Sequence, residues 1–375
     1  MLNPKLIAFY LPQYHPIPEN DEWWGKGFTD WVNTVKGKPR FYGHYQPHIP
    51  ADLGFYDLRN EETRIAQAEL AKNFGLYGFC YYHYWFNGKM LLEKPFNEVL
   101  KTKKPDFPFC LCWANENWTR TWDGEDSKIL IKQDYELYDP IQHISWLKEA
   151  FQDTRYIKIN NKPIFLIYNA YAISDISKIL KIWREYLKDE INLEIYICSV
   201  RSIHNKFTDD EIISLGFDAI VDFTPNGRDL PKMKLWSIPQ NILYRALNKL
   251  ISYFNLTNVV SEFPVKYVYD YKSLVSIKVK KGISKYKIFP CVIPSWDNSA
   301  RRKIAAIIQN NNEELYKIWL KDAVKRVSNH SSDEQIVFIN AWNEWAEGCH
   351  LEPDLRNGKK FLEATLDVLN SIRNE

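Results

Sequence analysis

The run FINAWNEWAEG, residues 338–348, ends an apolar stretch in two glutamates three positions apart, with Trp342 and Trp345 beside them. Two carboxyl groups that share a pocket suit the transfer of a glycosyl group to water or to another sugar. One protonates the departing oxygen while the other acts on the opposite side of the reacting centre. On a continuing strand, residues i and i+3 face opposite ways, so Glu344 and Glu347 can act together only if the chain turns at 345–348. Gly348 permits that turn. Two acids crowded between indole rings have their proton affinities driven apart, leaving one protonated near neutrality and the other ionised. The bland alternative for a Glu-x-x-Glu pair is helix capping or pairing with lysine, and its place in the fold decides between the two.

The elements that must position this pair are legible as alternation. Short apolar runs rich in β-branched and aromatic residues fall at 6–10, 77–84, 107–113, 163–168, 194–200, 219–223, 287–294 and 335–341. Amphipathic stretches with helical spacing lie at 61–74, 140–151, 176–188, 313–327 and 359–372. Runs such as KPIFLIY and EQIVFINAW are apolar throughout, as strands buried on both faces must be. Eight such strands alternating with helices predict an α/β fold, a single (β/α)8 TIM barrel spanning 1–375. Two connections are too long for ordinary loops. One follows the first strand, at 12–56; the other is an elaborated connection at about 230–285, between strands six and seven, and contains the helix-like IPQNILYRALNKLISYF.

In such a barrel the reacting groups sit at the carboxyl ends of the strands, and here those ends mix polar groups with aromatics. Tyr14 and His15 follow strand one; Tyr82, His83, Tyr84, Trp85 and Asn87 close strand two; Trp113, Asn115, Glu116, Asn117, Trp118 and Arg120 follow strand three. Thr224 and Asn226 follow strand six, Trp296, Asp297, Asn298 and Arg301 strand seven, and Trp342, Asn343, Glu344, Trp345 and Glu347 strand eight. Ten of the 14 tryptophans (Trp23, Trp24, Trp31, Trp85, Trp113, Trp118, Trp122, Trp296, Trp342 and Trp345) fall in these segments. A sugar ring accounts for the mixture, because its C–H faces stack on flat apolar rings while its hydroxyls need short polar partners. The expected ligand is therefore an oligosaccharide or polysaccharide. Its expected binding residues are Tyr14, His15, His83, Trp85, Trp113, Asn115, Glu116, Trp296, Asp297, Arg301, Trp342, Asn343 and Trp345. Glu116 is read as an orienting or hydroxyl-binding carboxylate, and Asp297 as binding hydroxyls or holding Arg301.

Composition narrows the alternatives. With 49 Lys plus Arg against 47 Asp plus Glu, the formal charge of +2 supplies no field for nucleic acid or an anionic membrane. No run approaches the roughly 18 apolar residues of a membrane span, and the start MLNPKLIAFY lacks the pattern of a secretion signal, so a cytoplasmic location is expected. The six cysteines show no Cys-x-x-Cys pair and are read as reduced thiols in or near the core. His15, His83 and His350 have no metal-ligand spacing around them, so neither metal nor other cofactor is expected. The absence of an Asp-x-Asp and of a Gly-rich phosphate loop counts against a nucleotide-sugar donor.

Four segments, IAFYLPQYHPIPENDEWWGKGFTDW (7–31), GFCYYHYWFNGKMLLEKPF (78–96), FCLCWANENWTRTWDG (109–124) and FINAWNEWAEGCHLEP (338–353), together carry a resemblance. They resemble the glycoside hydrolase family 99-like, or WbsX-like, proteins encoded with bacterial surface-polysaccharide machinery. The resemblance covers nearly the whole chain, with little contribution from 201–285. Family 99 implies a metal-independent, retaining endo-α-mannosidase on a (β/α)8 barrel. Its Asn-Glu-Trp-x-Glu-Gly pattern matches Asn343 to Gly348. By that match Glu344 is the base that deprotonates the sugar 2-hydroxyl, so that O2 attacks C1 to give a 1,2-anhydro sugar, and Glu347 is the acid. Ala346 stands where the hydrolases typically carry His. The alternatives are a glycosyltransferase of O-antigen or capsule assembly, and a non-catalytic carbohydrate-binding barrel.

Overall fold

The computed structural model describes residues 2–120, 125–233 and 267–374. Eight parallel strands close on themselves: β1 (Lys5–Tyr10), β2 (Gly78–Phe86), β3 (Phe109–Trp113), β4 (Lys162–Ile167), β5 (Tyr196–Val200), β6 (Ala219–Asp222), β7 (Ile288–Val292) and β8 (Ile336–Ile339). Each pairs with its neighbour in chain order, and β1 pairs with both β2 and β8, through Ala8 opposite Phe79 and opposite Ile339. All eight match the apolar runs read from the sequence. Closure leaves the inner face no neighbour but itself, so it fills with rings: Phe9 packs against Tyr82, Phe223 and Phe338 at centroid distances of 5.5, 5.2 and 5.4 Å.

The outer helices Glu61–Asn73, Pro140–Phe151, Ile176–Ile191, Glu313–Val327 and Lys360–Arg373 correspond to the five amphipathic stretches. Local chemistry starts several of them. Asp139 accepts the backbone N–H groups of Ile141 and Gln142, with Pro140 supplying a preset φ at the first turn, and Asn312 caps Glu313–Val327 through Leu315 N. Helices Lys94–Thr102 and Asp209–Ser214 also cover the barrel; both are short, which is why their periodicity does not stand out in the sequence.

The two long connections carry structure of their own. The segment after β1 holds helices Pro18–Trp24 and Asp30–Lys36. The described end of the 230–285 connection forms strand Tyr267–Asp270 and helix Tyr271–Val279, and that strand joins a separate three-stranded sheet with Ala306–Gln309 and Trp296–Asp297. The helix-like stretch at 238–254 lies outside the described residues. All six cysteines are buried thiols. Among the described residues no helix is long and apolar enough to cross a membrane.

Candidate functional site

The chain turns where the two glutamates need it to. Beyond β8, Asn343–Glu344 pairs antiparallel with Cys349–His350, and a 3-10 turn at Trp345–Glu347 closes this small hairpin. Gly348 ends the turn at φ +52°, and a Cβ there would come within 3.0–3.2 Å of Asp297, so conformation and space both call for glycine. The turn brings both carboxylates into one open cavity of about 480 Å³ at the carboxyl ends of the strands.

Between the carboxylates sits Arg301. Its Nη2 lies 3.1 Å from Glu344 Oε2 and its Nη1 3.1 Å from Glu347 Oε1. A third carboxylate, Asp30, holds the guanidinium from behind, accepting Nη2 at 2.7 Å and Nε at 3.2 Å. Asp30 is wholly buried on the helix Asp30–Lys36. Burial alone would ease the proton off Arg301, but Asp30, Glu344 and Glu347 hold its pKa well above the usual arginine value. Glu344 goes the other way. Burial pushes its pKa up to about 8; Arg301 opposes this, while Glu347 and Asp30 add to it.

The cavity walls are aromatic and polar. Tyr82, Tyr84 and Phe223 form its barrel side, and Trp24, Trp118 and Trp296 its rim. Glu116 reaches in from beyond β3, accepting Asn169 Nδ2 at 3.2 Å with His204 Nε2 at 3.7 Å. Burial raises the Glu116 pKa, against the pull of His204 and Asn169. A pocket with paired carboxyls, an arginine between them and ring walls can hold a saccharide and move protons at its reacting centre.

Of the residues expected to bind the ligand, Glu116, Trp296 and Arg301 line this cavity; the others do not. On the barrel strands the period of two separates them. On β2, Tyr82 and Tyr84 face the cavity, which sends His83 and Trp85 outward into the helix layer, where they stack on Trp146 and His143 at 4.7 and 4.6 Å. Trp113 packs outward against Tyr138 and Trp183, and Trp342 lies against Phe79. Trp345 stacks on His350 at 3.8 Å. The remaining five are polar groups that hold backbone. Asn343 bonds both Leu11 N and Leu11 O; Tyr14 OH donates to Asn343 O and accepts Trp345 N; Asn115 clasps Asn169 through its backbone N and O. His15 Nδ1 lies 2.9 Å from Pro12 O, and burial lowers its pKa to about 4. Asp297 does not hold Arg301: it accepts His44, Gln46 and Ser299 N, and although burial would raise its pKa, those bonds keep it below the usual carboxylate range.

Asp30 behind Arg301, and Tyr82, Tyr84, Trp118 and His204 on the cavity walls, join these residues at the site. The tyrosines and Trp118 are visible at strand ends. Nothing local in the sequence marks Asp30, because its partner Arg301 is 271 residues away. His48, His350 and Asp354 bring ligand-type atoms together among the described residues. Those atoms are engaged within the protein, His48 Nδ1 with His350 Nε2 at 2.9 Å and Asp354 Oδ2 with Asn357 Nδ2 at 2.9 Å.

Known proteins share this barrel. The structure resembles two structures of the family 99 endo-α-mannosidase from Bacteroides thetaiotaomicron, each with a TM-score of 0.56 and 13% identity, over 100% of this chain and 99% of that one. A glycoside hydrolase-like protein aligns with a TM-score of 0.55 and 14% identity, over 98% of this chain and 94% of that one. At such identities the likeness is one of fold alone, a (β/α)8 barrel. The chain belongs to the family described as "Glycosyltransferase WbsX", whose model matches residues 6–365. It is also 39% identical over 370 residues to the uncharacterized protein WxcX of Xanthomonas campestris pv. campestris, in strains B100 and ATCC 33913. That alignment takes in 98% of this chain, which spans about half the length of these relatives.

Proposed function

We propose that this chain is a metal-independent glycosidase that cleaves α-linked, mannose-configured saccharide of a bacterial surface polysaccharide with retention of configuration. The observation that carries this reading is one turn bringing two glutamates, with an arginine between them, into an aromatic-walled cavity. Glu344 takes the proton from the sugar 2-hydroxyl, O2 forms a bond to C1, and the bond from C1 to the leaving oxygen breaks as Glu347 protonates that oxygen. Water then attacks C1 of the 1,2-anhydro sugar, giving its proton to Glu347, as the C1–O2 bond breaks and O2 takes its proton back from Glu344.

A base is aided by a raised pKa, because the 2-hydroxyl is a weak acid. Glu344 must be ionised to act, so kcat/KM should rise with pH through a midpoint near 8, the value to which burial pushes its carboxyl. The same shift favours a second reading in which Glu344 is the acid; kcat/KM then falls as pH rises through that midpoint. The test is turnover of an α-glycan panel with product anomer followed by NMR. Wild type should hydrolyse a member of the panel, and Glu344→Gln and Glu347→Gln should each lose about 10²–10⁴-fold. Full activity in both variants overturns the assignment. Calorimetric binding of a sugar nucleotide, with transfer in place of hydrolysis, would instead support the glycosyltransferase reading that the family description favours.

A further inference from the structure

Glu352 lies five residues beyond Glu347 and does not line the cavity, yet its carboxylate is tied to both neighbours of Glu344. It is 2% exposed and accepts three hydrogen bonds, each of 2.7 Å: Tyr56 OH and Trp345 Nε1 on Oε2, and Gln67 Nε2 on Oε1. Tyr56 OH in turn accepts Asn343 Nδ2 at 3.3 Å. One oxygen of Glu352 therefore reaches Trp345 directly and Asn343 through a single hydroxyl, and Glu344 is the residue between them.

All three donors are neutral. Placing a carboxyl group out of water among such partners is costly, whereas an apolar side chain of similar volume fills the same space without that cost. Burial raises the Glu352 pKa to about 7 even against the bonds from Gln67, Tyr56 and Trp345. What the carboxylate contributes is geometric. Three donors from separate parts of the chain converge on it: Tyr56 from the long segment after β1, Gln67 from the helix Glu61–Asn73, and Trp345 from the catalytic turn. Gln67 is further anchored by Tyr10 OH, at the end of β1, through 2.7 Å.

We propose that Glu352 is a positioning residue for the carboxylate pair, fixing Asn343 and Trp345 so that Glu344 keeps its place beside Arg301 and Glu347. This rests on the reading of that pair as the reacting groups. Glutamine at 352 keeps the shape but turns a donor toward at least one of the three donors, breaking the convergence. Displacement of a reacting group by a fraction of an ångström is then felt in kcat, while the cavity walls that bind substrate are untouched.

The test has two independent readouts on Glu352→Gln, Trp345→Phe and their double variant. The first is the titration of Glu344, followed by carboxyl-¹³C NMR and assigned by its loss in Glu344→Gln; it needs no turnover. Its midpoint should move in both single variants. The second is steady-state kinetics on the hydrolysed glycan, where kcat should fall about tenfold to a hundredfold with KM within about twofold. The double variant should lose no more than the worse single one, because Trp345→Phe removes a bond that Glu352→Gln already disturbs. If Glu352→Gln fails to fold, Tyr56→Phe breaks only the arm to Asn343 and is read the same way. An unmoved Glu344 midpoint with unchanged kcat overturns the positioning role, as do single losses that multiply in the double variant. A moved midpoint in a protein that turns over no saccharide upholds the positioning and removes the glycosidase reading.

Discussion

Two clusters in this barrel look alike in composition and differ in what surrounds them. Under β2 and β3, His83 and His143 meet through their Nε2 atoms at 3.0 Å within a shell of Trp85, Trp113, Trp146 and Tyr138. After β8, Glu344 and Glu347 meet across Arg301 beneath Trp24, Trp118 and Trp296. Both set titratable pairs among indoles. In the first, each ring nitrogen that has a partner is spent inside the protein: His143 Nδ1 on Tyr138 OH, and its Nε2 on His83. In the second, the carboxylates face an open cavity. Burial forces His83, His143 and Glu344 toward their neutral forms, lowering the histidines and raising Glu344. Only at the cavity is that shift available to a ligand; in the sealed cluster it becomes a term in stability.

The largest expected contrast comes from removing one indole from each cluster. Trp113→Ala opens a void in a fully buried site and should cost about 3–5 kcal/mol in urea unfolding. Trp296→Ala, at the cavity rim, should cost under about 1 kcal/mol and weaken binding of a hydrolysed glycan instead. Equal losses of stability would erase the distinction between sealed and open clusters.

The pH dependence of stability sharpens the comparison. Burial lowers the His83 pKa to about 3 from its ordinary value of 6.5. Below about pH 6.5 the unfolded chain therefore binds a proton that the folded chain refuses, so stability falls as pH drops through 6.5 toward 3. At pH 5 the loss attributable to His83 is about 2 kcal/mol. His83→Gln should make the slope of unfolding free energy between pH 5 and 6 shallower by up to about 1.4 kcal/mol per pH unit. An unchanged slope would mean that the imidazole takes up its proton without leaving the fold.

The smallest effect concerns the helix that carries His143. Asp139→Ala removes the bonds to Ile141 N and Gln142 N and should cost about 1 kcal/mol in thermal unfolding, with no change in the Glu344 titration. A moved Glu344 midpoint would show that the two clusters communicate.

Much of this molecule is legible before any fold is known. The eight strands and five of the outer helices stand in the chain as apolar runs and helical periods, because a strand buried on both faces and a helix buried on one leave patterns only a few residues long. The Glu344–Gly348 turn is legible for the same reason: its geometry depends on neighbours in sequence and on a glycine at positive φ. The cavity-facing residues are a different matter. Strand parity sorted Tyr82 and Tyr84 inward and His83 and Trp85 outward, and which parity faces the cavity depends on closure of all eight strands. Asp30 behind Arg301, and Tyr56, Gln67 and Trp345 around Glu352, are partners separated by up to 296 residues. Local patterns record local contacts, so the alternation of the chain determined the barrel and the paired acids, while the tertiary structure alone decided which groups surround them.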